Sequence, residues 1–153
     1  MYSMNKEQIE EMYNIASITL AEHGSLGPMY FLLKDGSVVP IMRNTEDIRD
    51  VASIAVIAAQ SIDADAIVLI CEQWMLKMKK DDPNLQLYTD GILRPSDSDL
   101  KEAYLTLIHM TKDGEVDSLI GKINISPNGV KYVCETQWLE TSVTNMITPW
   151  SEQ

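Results

Sequence analysis

The chain has 153 residues, about one domain, a size at which roughly 68–70% of the unfolded surface is buried on folding and no disulfide or metal is required. With 45% hydrophobic and 23% charged residues and no repeat or low-complexity tract, it is neither fibrous nor disordered by composition. Twelve Lys+Arg against 23 Asp+Glu give a formal net charge of -11, spread along the chain, which argues against direct binding to nucleic-acid phosphates.

The first residues, "MYSMNKEQIEEMYN", carry acids where a secretory signal needs a basic start and an apolar run, so a cytoplasmic protein with reduced thiols is expected. From residue 5 to residue 23, Ile9, Met12, Tyr13, Ala16, Leu20 and His23 recur at spacings of three and four. That spacing predicts a helix, which Gly24 and Gly27 stop. "PMYFLLKDGSVVPIM" follows, two apolar runs about Asp35-Gly36, the dipeptide of a two-residue hairpin turn.

Asn44 and Asp47 resemble a capping box for a helix running to about Ile62. From Val51 to Ile62 that helix bears no charge, so it is expected between the sheet and something else, either the first helix or a second subunit. The same twelve residues form the longest uncharged stretch, short of the roughly 18 needed to cross a membrane, and no membrane partner is expected.

"DAIVLICEQWMLKMKK" predicts a long central strand. Residues 80–98 then read as a long loop with two prolines and no periodicity, of the kind that is usually functional or disordered. The last third predicts three strands with turns at Asp113-Gly114 and Asn128-Gly129, and residues 139–153 a polar tail. The expectation is a single α+β domain over residues 1–153, two helices on a largely antiparallel sheet, in the order α-β-β-α-β-β-β-β.

"CEQW" at 71–74 and "CETQW" at 134–138 suggest a duplicated Cys-Glu site, but strand alternation opposes it. Cys71 and Trp74 point to opposite faces, whereas Val130, Tyr132, Cys134, Thr136 and Trp138 are expected on one buried face. His23 and His109 are isolated and no Cys-x-x-Cys occurs, so no metal is expected. Glu72 shares a face with Ile70 and Trp74. It either turns outward at the strand end or lines a small pocket beside Trp74. No dinucleotide, P-loop, zincin or hydrolase-elbow fingerprint is present, and no cofactor is expected.

"AEHGSLGPMYFLLKDG", the strand end "CEQW" and "RPSDSDLKEA" together resemble small uncharacterised proteins of bacteria and their phages that carry HG-x-x-x-P, E-x-W and PS-x-x-x-x-x-EA segments, over roughly residues 21–110. The resemblance implies a phage or bacterial accessory protein and brings no activity or site residues with it.

The function expected is non-enzymatic binding of a protein partner or a second copy of the chain. Trp74 and the loop residues Leu87, Tyr88, Ile92 and Leu93 are the binding candidates. One alternative is an enzyme using Glu72, Asp97 and Asp99 under the 80–98 loop. Another is an acidic mimic that occupies a nucleic-acid-binding protein.

Overall fold

α1 (Lys6–His23) is closed at both ends by its own sequence. Asn5 accepts from the Gln8 N–H while the Gln8 side chain accepts from the Asn5 N–H, a capping box, and Gly24 adopts the left-handed conformation as C-cap. Such a cap is worth about 1 kcal/mol. The larger contribution is burial of Ile9, Tyr13, Ala16 and Leu20, about 1.5–3 kcal/mol for each large side chain. The structure, a computed structural model, describes residues 3–41, 55, 57–76, 78–94, 98, 99 and 101–139. Asn44, Asp47, most of residues 45–56, residues 95–97 and the tail beyond Leu139 lie outside them.

β1 (Met29–Lys34) and β2 (Ser37–Ile41) form the hairpin expected at Asp35-Gly36, where both turn residues have positive φ, 49° and 82°. Next comes α2, of which residue 55 and residues 57–62 are described as helical. It ends with Asp63 in the left-handed seat (φ 52°), the Asp63 N–H donating to Gln60 and the Ala64 N–H to Ala59. β3 (Ala66–Met75) follows, then α3 (Leu85–Thr89) and the meander β4 (Glu102–Thr111), β5 (Val116–Ile125) and β6 (Lys131–Leu139). The order is α-β-β-α-β-α-β-β-β. Among the described residues the strands form one open antiparallel sheet in the order β2-β1-β3-β4-β5-β6.

The sheet is buried on both faces, which explains why β3 and β4 are apolar without alternation. α1 covers one face, where Leu33, Val68, Ile70, Leu105, Leu107, Leu119 and Ile123 meet its inward stripe. Ala55 and Ala59 of α2 lie on the opposite face with Tyr30, Leu32, Ile67, Leu69 and Met110. α2 therefore does not lie against α1, one of the two neighbours its uniform apolarity suggested, the other being a second subunit; the small alanines sit on the sheet and Ile57 faces outward, 64% exposed.

The sequence places no element in residues 80–98, and there the structure adds α3. Asp82 accepts from the Asn84 N–H to start it, and Gly91, at φ 76°, ends it with the Gly91 and Ile92 N–H groups donating to Tyr88 and Leu87. Asp90-Gly91, a dipeptide of the kind that turns hairpins elsewhere in this chain, here closes a helix.

β6 also departs from its expected alternation. Gly121 pairs with Thr136, but Ile123 pairs with Val133, so Cys134 and Glu135 together oppose Lys122 in a β-bulge. One extra residue reverses the phase. Thr136 and Trp138 share the α1 face with Val133 and Lys131, but of the five residues expected to be buried only Trp138 packs against the core: Val130, Tyr132, Cys134 and Thr136 are exposed.

Candidate functional site

α1 ends at Gly24, and the strands run on past it. On the α1 face of β3 burial falls away after Ile70: Glu72 is half-buried and Trp74 is 51% exposed. Antiparallel pairing sets Ala103 of β4 opposite Trp74 and Lys131 of β6 opposite Ile125 of β5. These strand ends surround a cleft of about 410 Å³ lined by Glu72, Gln73, Trp74, Ala103, Ile123, Ile125 and Lys131. Its volume is that of an ordinary ligand pocket, and its lining is mostly apolar with few polar groups.

The carboxylate of Glu72 is held from two sides. Lys131 Nζ lies 3.1 Å from Oε1, and the Leu26 N–H, from the segment that leaves α1, donates to Oε2 at 3.3 Å. Both charged side chains keep some solvent contact, so the pair is worth no more than about 1 kcal/mol. Its consequence is positional. The bulge turns Lys131 toward Glu72; in an unbroken ladder Lys131 would point to the other face.

Lys101 Nζ stands 5.0 Å from the centroid of the Trp74 ring, a cation–π contact that holds the indole where it borders the cleft. With both Glu72 oxygens engaged, the cleft offers an apolar shelf of Ile123, Ile125 and Ala103 beside an exposed indole. Two ammonium groups flank it.

The structure brings Glu72 and Trp74 together in this cleft. It does not bring the other sequence candidates there. Asp97 lies outside the described residues, and Asp99 is exposed and lines no part of the cleft. Leu87, Tyr88 and Leu93 are half-buried about α3 and Ile92 is 68% exposed, none of them lining the cleft. Reasoning from sequence missed Lys101, Ala103, Ile123, Ile125 and Lys131. Gly121, a glycine inside a strand, is the local signal for the bulge that aims Lys131.

A second polar cluster lies on the same face nearer the other end of the sheet. His109 is 1% exposed, and its Nε2 accepts from the Met4 N–H at 3.2 Å, so the neutral ring carries its proton on Nδ1. Nδ1 faces Asp117 at 3.6 Å, beyond hydrogen-bond reach. Burial holds the His109 pKa below its ordinary value, opposed by Asp117 and Glu115. Cys71 is buried on the α2 face, where burial pushes its thiol up to about 12, well away from the thiolate a nucleophile needs. Among the described residues no group of three or more His, Cys, Asp or Glu is placed to hold a metal ion, and no helix is long and apolar enough to cross a membrane.

Comparison with protein-family models, with curated proteins and with solved structures returned no match.

Proposed function

We propose that the chain is a non-enzymatic, cytoplasmic binding protein of bacterial or phage origin, whose recognition surface is the Trp74 cleft and whose ligand is an apolar side chain presented by a partner protein. The observation that carries this reading is the half-exposed, cation-braced indole of Trp74 beside the 67% exposed Ile125. Tryptophan in a partly formed pocket is the residue type that most often dominates binding energy. Exposed apolar groups on a braced scaffold lose little entropy on binding. Both Glu72 oxygens are already bonded, which favours recognition over carboxylate catalysis at this position.

The test is affinity capture from a bacterial lysate on wild-type and Trp74→Ala baits in parallel, read by quantitative mass spectrometry. A protein retained stoichiometrically by the wild type and lost by Trp74→Ala is the expected result. Equal retention by both baits overturns the assignment of the surface, and turnover of a captured small molecule overturns the non-enzymatic reading.

A further inference from the structure

On the outward side of α1, Glu7, Glu11, Ile15, Ile18 and Glu22 follow one another at spacings of four, four, three and four, and all five are exposed. Spacing of this kind aligns side chains into one ridge along a helix. The inward stripe of Ile9, Tyr13, Ala16 and Leu20 already packs the helix on the sheet, and both helix ends are capped. Among the described residues none buries Ile15 or Ile18, which are 66% and 58% exposed. Isoleucine is also a poorer helix former than Ala, Leu or Glu, so helix propensity does not account for the pair either.

From this arrangement we infer that the outward ridge of α1 docks an amphipathic helix of another protein, with apolar residues at alternating three- and four-residue spacing and Lys or Arg beside them. The apolar pair forms the middle of the ridge and the three glutamates its two charged ends, and charge next to an apolar contact is a means by which paired helices choose partners. The sign of that charge selects the occupant. A second copy of this chain would set glutamates against glutamates and one net charge of -11 against another, and an anionic membrane would be repelled in the same way. This surface shares no residue with the Trp74 cleft and stands independently of it.

The experiment uses the full chain and a fluorescein-labelled three-heptad peptide with Leu at the a and d positions and Lys at e and g, read by fluorescence anisotropy. A second peptide has every Lys replaced by Glu. The wild type is expected to bind the Lys peptide saturably and not the Glu peptide. Ile15→Ala/Ile18→Ala, which keeps all the glutamates and raises helix propensity, should weaken binding at least about tenfold with an unchanged circular dichroism spectrum. Glu11→Lys/Glu22→Lys should exchange the preference between the two peptides. Binding that survives the alanine pair reflects diffuse charge and overturns the proposal. So does an unexchanged preference, a wild type that does not bind the Lys peptide, or self-association in sedimentation that the alanine pair abolishes.

Discussion

At Gly121 α1, β5 and the bulge of β6 approach one another closely. A Cβ there would lie 2.3 Å from Val133 Cγ1, 2.7 Å from the Tyr13 hydroxyl and 3.0 Å from the Glu135 carbonyl oxygen. The Tyr13 hydroxyl cannot easily withdraw, because it donates to the Leu105 carbonyl at 2.7 Å. Gly121→Ala should therefore destabilise the fold by about 1–3 kcal/mol, seen as a lower urea midpoint at unchanged slope. Thr106 has the opposite expectation. Its hydroxyl is buried on the α2 face with no partner among the described residues, so Thr106→Val should leave stability equal or raise it by about 1 kcal/mol; a lower midpoint would show that a buried water satisfies the hydroxyl. His109 sets a pH dependence. With its folded pKa below the ordinary 6.5, the unfolded chain binds more protons than the folded one as pH falls through that value. The stability due to neutral His109 is thus complete above about 6.5 and lost below it. His109→Gln should flatten the urea midpoint between about pH 7 and 5 relative to the wild type, whose midpoint falls.

Among the elements, those set by a single period were legible in the sequence. The 3.6-residue stripe through Ile9, Tyr13, Ala16 and Leu20 gave α1, and Asp-Gly or Asn-Gly between apolar runs marked the three hairpins. What the dipeptide does once it is in place depends on its surroundings. Asp35-Gly36 forms a two-residue turn, Gly114 and Gly129 close longer ones, and Gly91 caps α3. The sequence pattern also brought Glu72 and Trp74 to one face of β3. It could not supply Lys131, because one inserted residue reverses side-chain direction without altering composition. Deleting Cys134 should close the bulge into a regular ladder that keeps Val133 opposite Ile123 and Lys131 opposite Ile125, so stability in urea unfolding should change by less than about 1 kcal/mol. A loss of several kcal/mol would show that the bulge itself has a structural role.

At the scale of the whole molecule, covering the sheet on both faces still leaves apolar side chains exposed, among them Val38, Val39, Ile57 and Ile92. Trp74 and Ile125 lie together at the end of the sheet beyond α1, and Ile15 and Ile18 on the outside of that helix. The fold braces the first pair with Lys101 and with the Glu72–Lys131 bridge, and rigid support of this kind is what distinguishes a recognition surface from incidental exposure. The most direct measurement is selection of a random-peptide display library on the Ile15→Ala/Ile18→Ala chain, which takes the α1 ridge out of play, followed by titration of the enriched peptides against that chain with and without Trp74→Ala. Dissociation constants should rise at least about tenfold on loss of the indole, with equal unfolding midpoints for the two chains. Enriched peptides that bind the Trp74→Ala chain as tightly as its parent would contradict recognition at the Trp74 cleft.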